Sequence, residues 1–234
     1  MTSRALSAGG IALAALVIVS CGTQTYTAAV TTPVPAAVDP PIAEIAVLGI
    51  RGFPRWPIGP EVEEETARLL ADSLRVRNAA LTVSDPDRDR ALLDEAGLGS
   101  AWMTVTDIWL KTGIADGLLL RDMADAVGAD AILGGALLSD QEAAGVAGGE
   151  ALEPSRRVVA VRLWLFDARN GDLVWEAAAE STTEVNEGWL TTILSSIFGP
   201  SPEQIPPVPL AEAVVRAIRD LTTKLPRLAP QPVR

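Results

Sequence analysis

Hydrophobic and polar positions alternate most regularly between residues 159 and 184, and this pattern predicts a β-hairpin. Aliphatic residues occupy every second position of the first arm: Val159, Val161, Leu163 and Leu165. A period of two is typical of a strand. The Asn170-Gly171 pair then interrupts the pattern and favours a tight turn, because both residues reach positive φ at little cost. We therefore expect a second, returning strand over residues 173–184.

The turn is predicted to be a three-residue loop, residues 169–171, with Gly171 in the left-handed conformation. This register places an apolar set on one face of the hairpin: Val159, Val161, Leu163, Leu165, Trp175, Ala177 and Ala179. The opposite face carries Trp164 and Phe166, with Arg162 diagonal to Glu176 and Glu180. Two interpretations of Trp164 and Phe166 stay open, since they either bind a partner protein or pack beneath a covering helix.

Apolar runs and helical periodicities divide the rest of the chain. The predicted buried strands cover residues 42–50, 80–83 and 131–138. The predicted helices cover residues 61–77, 86–96, 120–127 and 210–225. Residues 100–117 have no clean period, so a short helix and an irregular excursion both stay open there. Residues 139–154 are expected to form a loose, glycine-rich connection. The pattern indicates an α/β (α+β) fold with a mixed, largely antiparallel sheet of about five strands and helices packed on it.

Residues 51–60, RGFPRWPIGP, are expected to form a rigid loop at the end of the first buried strand. A helix is excluded because proline recurs at every third position. Loops at strand ends often carry binding residues, and Phe53 and Trp56 are the aromatic residues of this one. Again two interpretations stay open, since Phe53 and Trp56 either bind a partner protein or close the edge of the core.

Residues 186–199, NEGWLTTILSSIFG, place apolar residues at spacings of three and four and predict an amphipathic helix. Its apolar face is assigned first to the core and next to a partner or self-association surface. A membrane-surface helix is the weaker alternative, because the segment has no Lys or Arg to meet anionic headgroups.

The N-terminus is typical of a bacterial lipoprotein signal peptide. Arg4 supplies a basic start, residues 8–19 form an apolar segment too short to span a bilayer with ease, and Cys21 follows. A lone cysteine after Ser20 resembles a lipobox, in which the thiol is acylated and the preceding peptide is removed. The alternatives are an ordinary secretory signal and a chance cysteine in a membrane anchor. We expect acyl chains such as palmitate on Cys21. The absence of aspartate at position 22 favours sorting to the outer membrane, by resemblance to known lipoproteins.

This interpretation divides the chain into four parts. Residues 1–20 are the signal peptide, residues 21–41 are the lipidated cysteine and a disordered Thr/Ala/Pro-rich tether, residues 42–226 are a single globular domain, and residues 227–234 are a disordered tail. At about 3 Å per residue, the tether would reach about 60 Å when fully extended. The domain is therefore expected to face the periplasm at a distance from the membrane.

The residue types that are missing narrow the function. The sequence has no histidine, and Cys21 is its only cysteine. This excludes Ser-His-Asp and Cys-His catalysis and the usual zinc and haem sites. The formal net charge is −11, and it becomes −12 when Arg4 is removed. A chain this acidic is poorly suited to bind nucleic-acid phosphates.

Asp85, Asp87 and Asp89 alternate as in a calcium-binding loop. However, Arg90 stands where the turn glycine is needed, and Ala96 stands where the bidentate glutamate would fall. We expect helix capping at this segment in place of metal binding. Most other acidic residues fall at predicted helix starts and on polar faces, so the sequence predicts no enzyme activity, no metal site and no cofactor beyond the acyl chains.

Three short motifs resemble the domain of the curli secretion lipoprotein (CsgG-like) and its relatives, which include lipoproteins that activate penicillin-binding proteins. These are IAVLGI at residues 45–50, AVGADAILGGALL at residues 126–138 and VRLWLFDARNGDLVWEA at residues 161–177. The resemblance covers about residues 42–225 and describes fold more than activity. No pair of segments has the pattern of the membrane hairpins that line the curli pore. The resemblance therefore implies the soluble domain without the pore.

Two hypotheses follow from these expectations. The first is a lipid-anchored, periplasm-facing accessory lipoprotein of the outer membrane that binds another envelope protein, such as a peptidoglycan synthase or a secretion assembly. The second is a component of an envelope export or lipid-transport complex, with a homo-oligomer as one version of it. Both require the membrane, through the lipid anchor, and a protein partner, and neither involves nucleic acid.

Overall fold

The computed structural model describes residues 22–31, 41–147, 155–186, 203–205 and 207–228. Within these ranges the chain forms eight strands and five helices. The strands are β1 (Gly22–Thr31), β2 (Glu44–Arg51), β3 (Thr82–Val83), β4 (Ala131–Ala143), β5 (Gly145–Ala147), β6 (Ser155–Asp167), β7 (Leu173–Asn186) and β8 (Glu203–Ile205). The helices are α1 (Pro60–Arg77), α2 (Pro86–Glu95), α3 (Ala101–Thr112), α4 (Gly117–Val127) and α5 (Leu210–Thr222). The predicted α+β fold class is confirmed.

Six strands form one mixed sheet in the order β1-β7-β6-β4-β2-β3, and β5 and β8 form a separate antiparallel pair. β2 is parallel to both of its neighbours, since Glu44 pairs with Thr82 and Ile45 pairs with Ala131. Parallel neighbours need a crossover, and α1 supplies the crossover between β2 and β3. The continuous apolar runs of β2 and β4 follow from their place inside the sheet, where both faces are covered.

One face of the sheet packs against α2, α3 and α4. The strands contribute Ala46, Leu48, Ile132, Ala136, Trp164 and Phe166 to this cluster, and the helices contribute Leu93, Trp102, Val105, Leu120 and Met123. Trp102 lies over Gly134 of β4, where an added Cβ would come within 2.6 Å of the indole ring. Its Nε1 donates to the carbonyl oxygen of Gly135 at 3.2 Å. Gly134 therefore makes room for the Trp102 indole of α3.

The opposite face of β2 is covered by α1. Because side chains alternate along a strand, Ile45 and Val47 point away from Ala46 and Leu48, and both are fully buried. α1 packs on β2 and also against α5. The two helices bury an apolar stripe: Val62, Leu70, Leu74, Val214, Ile218 and Leu221. This stripe has the spacing that the sequence predicts for both helices.

The chain divides into two compact units. One consists of Met1–Tyr26, Gln141–Arg157 and Thr182–Val208, and it holds the β5–β8 pair. Within it, Arg157 pairs with Glu142 at 3.1 Å and donates to the carbonyl oxygen of Val208 at 2.8 Å. The other consists of Thr27–Asp140, Val158–Ser181 and Pro209–Arg234, and it holds all five helices. The predicted bounds of a single domain, residues 42–226, stay a prediction.

β6 and β7 form the predicted hairpin, and Gly171 has the predicted positive φ, 79°. All seven residues of the predicted apolar face are buried. The predicted three-residue loop is wrong by one residue. The Gly171 N–H donates to Asp167 O at 2.8 Å, and the Asp167 N–H donates to Asp172 O at 2.9 Å, so residues 168–171 form the loop. Asp167 starts the turn one residue earlier because its carboxylate accepts the Arg169 N–H at 3.0 Å.

The sequence leaves one segment open and assigns part of another wrongly. Of the two possibilities for residues 100–117, the structure has the helix, α3, whose Trp102 packs over Gly134. Residues 139–154 were expected to be a loose connection, and this is wrong for residues 139–143, which belong to β4, and for residues 145–147, which form β5. The polar sequence at the end of β4 masks the strand, because those side chains are exposed.

Residues 22–31 lie in the range expected to be a tether, but they form β1 at the edge of the sheet. Their many threonines, with a tyrosine and a valine, favour extended backbone that can pair with a neighbour. The predicted signal peptide, Cys21 and all but the first residue of the predicted helix over residues 186–199 lie outside the described ranges. In the predicted disordered tail, the Leu228 N–H donates to Asn78 Oδ1 at 2.8 Å, so the described start of the tail is held by α1.

Candidate functional site

The candidate site is the loop of residues 51–60, which begins at the last residue of β2 and ends at the first residue of α1. The Trp56 N–H donates to Phe53 O at 2.8 Å, and these two residues form an isolated antiparallel bridge. Pro54 occupies the second position of the resulting four-residue turn, where its fixed φ is favourable. The loop is therefore a defined turn that carries an aromatic residue at each end.

Phe53 and Trp56 are both half-buried, but their surroundings differ. Phe53 packs against the cluster beneath α2, α3 and α4. The Arg55 guanidinium lies 5.0 Å from the centroid of the Trp56 ring, within range of a cation–π interaction. Arg55 itself is exposed. Phe53 thus holds the loop to the core, while Trp56 and Arg55 form a surface that a partner protein can contact.

The base of the loop is fixed by Gly49. Its φ is 75°, and the pairing of β2 with β4 shifts between Val47 and Gly49. A Cβ added at Gly49 would lie 2.5 Å from the carbonyl oxygen of Glu63 in α1. Only glycine allows this combination of positive φ and close approach. Beyond it, the Ile50 N–H donates to Thr66 Oγ1 at 3.1 Å, so α1 sets the direction in which the chain enters the loop.

Ion pairs connect the start of the loop to α1 and α2. Arg51 pairs with Glu63, Arg90 with Glu64 at 2.5 Å, and Arg68 with Asp87 at 2.9 Å. Burial raises the pKa of Glu63 above its ordinary value, while the positive charges of Arg51 and Arg90 oppose that rise. Most charges here are paired with a neighbour, so the group serves to hold the loop and offers no free catalytic residue among those named.

Trp164 and Phe166 are the other candidate partner-binding residues, and the structure contradicts that interpretation for both. Their exposed fractions are 0% and 1%. Phe166 makes edge-to-face contacts with Trp102 and Trp109 of α3, with centroid separations of 6.3 Å and 5.2 Å. Trp164 Nε1 donates to Glu176 at 3.2 Å, which confirms the predicted arrangement of that hairpin face. The face is covered by α3, so its aromatic residues belong to the core.

The three aspartates that resemble a calcium loop have separate contacts. Asp85 accepts the N–H groups of Asp87 and Arg88 and caps α2, as predicted. Asp87 pairs with Arg68. Asp89 is fully buried, and sequence reasoning missed this because its neighbours in the chain are charged.

Asp89 lies in a small polar group with Ser84 and Ile45. Ser84 Oγ contacts Asp89 Oδ2 and also lies 3.1 Å from the carbonyl oxygen of Ile45. Burial raises the pKa of Asp89, with the Ser84 hydrogen bond and Arg88 opposing the rise. Ser84 has one hydroxyl proton and faces two acceptors. A protonated Asp89 resolves this, since it donates to Ser84 Oγ and leaves the Ser84 proton for Ile45.

Several exposed apolar side chains were not singled out from the sequence. Ile114, between α3 and α4, is 71% exposed, and Leu118, in the first turn of α4, is 73% exposed. Val76 of α1 is 87% exposed. Their apolar character alone predicts burial, so the sequence gives no signal that they are exposed. Among the residues that the structure describes, no group of three or more Asp, Glu, His or Cys side chains is placed to hold a metal ion. In the same part of the chain, no helix has the length and hydrophobicity needed to cross a membrane.

No protein-family model matches the chain, and no curated protein does. Solved structures that are similar in arrangement include the PelC L103M dodecamer from Paraburkholderia phytofirmans, at 17% identity and a TM-score of 0.41, with 84% of this chain and 99% of that chain covered. Lipoprotein GNA1162 from Neisseria meningitidis matches at 17% identity and a TM-score of 0.39, with 68% and 95% covered. The LpoB C-terminal domain from Salmonella enterica matches at 13% identity and a TM-score of 0.35, with 62% and 85% covered. At these values the likenesses carry no conclusion about function.

Proposed function

We propose that the protein is a lipid-anchored accessory lipoprotein that faces the periplasm from the outer membrane and acts by binding another envelope protein. The anchor is acylated Cys21. The partner is a peptidoglycan synthase or a secretion assembly, the two classes that the sequence resemblance implies. The protein itself performs no chemistry in this account.

The observation that carries the proposal is the construction of the 51–60 loop. Its turn is closed by the Phe53–Trp56 bridge, its base is fixed by Gly49, and Phe53 holds it to the core. Trp56 nevertheless stays half-exposed beside the exposed Arg55. Tryptophan and arginine are the side chains most enriched at the energetic centres of protein interfaces. A rigid loop also loses little conformational entropy when a partner binds.

The test is crosslinking in intact cells with a tagged full-length chain, followed by identification of the captured proteins. We compare the wild type with Trp56→Ala and with Val76→Ala, a matched control at an exposed apolar residue of α1. We expect the wild type and Val76→Ala to capture the same envelope protein. Trp56→Ala should reduce capture by roughly tenfold or more, since a hot-spot truncation removes about 2 kcal/mol.

Thermal unfolding of each purified variant separates binding from folding. A hot-spot role predicts that Trp56→Ala shifts the midpoint by only a few degrees. A large drop in the unfolding midpoint would instead assign Trp56 to the core. Equal capture by wild type and Trp56→Ala would show that the loop does not bind the partner. If the wild type captures no reproducible envelope protein, the proposed function is wrong.

A further inference from the structure

The structure leaves almost no chain between the proposed lipid anchor and the folded protein. β1 begins at Gly22, the residue directly after Cys21. The expected 60 Å tether is therefore absent on the N-terminal side of β1, because its first ten residues are strand. The remaining residues of the predicted tether lie after β1 and do not separate it from Cys21.

Thr27 is hydrogen-bonded within the larger unit, to which it belongs. Its hydroxyl group is hydrogen-bonded to Ser181 Oγ of β7 at 3.1 Å and to the carboxylate of Asp220 in α5. Thr27 is six residues after Cys21, and an extended chain spans at most about 3.3 Å per residue. The Thr27–Ser181 contact is thus within about 20 Å of the anchored residue.

The strand directions show which end of the sheet this is. β7 runs from the hairpin loop at Gly171 to Ser181, ten residues further, which is about 33 Å of extended strand. The Ala168 N–H donates to Asp130 O at 2.9 Å, and the Asp130 N–H donates to Glu44 O at 2.9 Å, so β2 starts at the hairpin-loop end. β2 therefore delivers Arg51 and the 51–60 loop to the end of the sheet that lies away from Gly171.

The charge distribution fits a lipid surface at the β1 edge. The chain carries a formal net charge of −11, and an acidic surface is repelled by anionic headgroups. Between Cys21 and Asp39, however, no residue is charged. Ala28, Val30 and Thr31 are exposed on this strand, and the carboxylate of Asp220 is hydrogen-bonded to Thr27. β1 itself thus adds no negative charge to the surface that would face the lipid.

We propose that the β1 edge lies against the lipid surface of the anchoring membrane, with the 51–60 loop at the same end of the sheet. The inference rests on the acylation of Cys21 in the proposed function. It deepens that function, because it assigns the edge of the anchored protein that faces the lipid.

Energy transfer to labelled lipid tests the orientation. Acylation consumes the only cysteine, so a cysteine introduced into the acylated chain is a unique labelling site. We place one at Ala28→Cys in β1 and one at Leu118→Cys, a matched exposed position next to Gly117, whose added Cβ would lie 3.6 Å from Gly171 Cα. Each labelled protein is reconstituted in phosphatidylethanolamine–phosphatidylglycerol vesicles that contain a trace of acceptor lipid.

We expect transfer from position 28 to be several-fold higher than transfer from position 118. Insertion of 20 Gly/Ser residues between Cys21 and Gly22 should bring the two values together, because such a linker has a root-mean-square length of about 25 Å. Equal transfer from both positions without the insertion overturns the inference. So does strong transfer between two copies labelled at position 28 in sparsely loaded vesicles, which would assign the β1 edge to a second copy of the chain.

Flotation and mass analysis of the same samples separate the two proposals. A protein that carries acyl chains and floats with the vesicles, yet shows equal transfer from both positions, contradicts the orientation and leaves the anchored function standing. A protein that carries no acyl chain contradicts both.

Discussion

The hydroxyl oxygens of Thr27 and Ser181 lie 3.1 Å apart, and this contact ties the edge strand β1 to β7. Thr27 also bonds to Asp220 of α5, so one side chain joins three elements. We predict that Thr27→Val weakens the docking of β1 by about 1 kcal/mol, roughly fivefold in local opening, because two hydrogen bonds are lost at nearly constant volume. Hydrogen exchange of the β1 amides measures this opening.

Thr31→Val is the control for that change, since Thr31 is exposed at the end of the same strand. It should leave exchange in β1 almost unchanged. Equal protection in wild type, Thr27→Val and Thr31→Val would show that the Thr27 hydroxyl does not hold the strand.

Gly49 gives a second prediction, concerning the base of the 51–60 loop. Gly49→Ala should lower the free energy of unfolding by about 2–4 kcal/mol. The new Cβ would clash with the Glu63 carbonyl oxygen, and alanine is also strained at positive φ. Gly97→Ala isolates the second effect, since Gly97 has φ of 73° and no atom within 4 Å of an added Cβ. It should lower stability by about 1 kcal/mol.

Urea unfolding of both variants measures the difference. If Gly49→Ala and Gly97→Ala lose the same stability, the close approach of β2 to α1 does not matter energetically. The loop geometry would then rest on some other contact.

Asp89 gives a prediction about pH. Burial raises its folded pKa above the unfolded value near 3.8. The stability contributed by the protonated group is fully present below that unfolded pKa and is lost as the pH rises through the folded pKa. Between the two pKa values the loss is about 1.4 kcal/mol per pH unit. Asp89→Asn should remove this loss, because its amide also donates to Ser84 and does not ionise.

Urea unfolding of wild type and Asp89→Asn over a pH series tests the sign. The stability of the variant relative to the wild type should increase as the pH rises through the folded pKa of Asp89. A difference that stays constant with pH would mean that Asp89 does not titrate in a buried site.

The sequence predicts those elements whose pattern is set locally. The β6–β7 hairpin, α1, α2 and α4 follow from alternation, helical spacing, Asp85 as a cap and Gly128 as a C-terminal cap with φ of 79°. For α3 the sequence left a helix and an irregular excursion open, because Trp102 packs over Gly134, which is distant in the chain. The Thr-rich segment of β1 was predicted to be part of the tether. Its sequence shows no strand pattern, and its strand structure depends on pairing with β7.

The candidate site was predicted in part. Alternation identifies Trp164 and Phe166 as neighbours on one face but does not say whether a helix covers that face, and α3 does. The residues of the 51–60 loop were singled out by their prolines and aromatics. Their binding role stays a proposal, and the structure adds Gly49 and Arg55, which were not singled out.

The central claim is that the protein is anchored by acylated Cys21 immediately before β1. The most direct measurement is the mass of the N-terminal tryptic peptide from membrane-extracted protein, which spans residues 21–51 because Arg51 is the first basic residue after Cys21. The account predicts a chain that starts at Cys21 and carries acyl chains on it, and Cys21→Ser should abolish both. A mature chain that starts elsewhere, or a free Cys21 thiol, would contradict it.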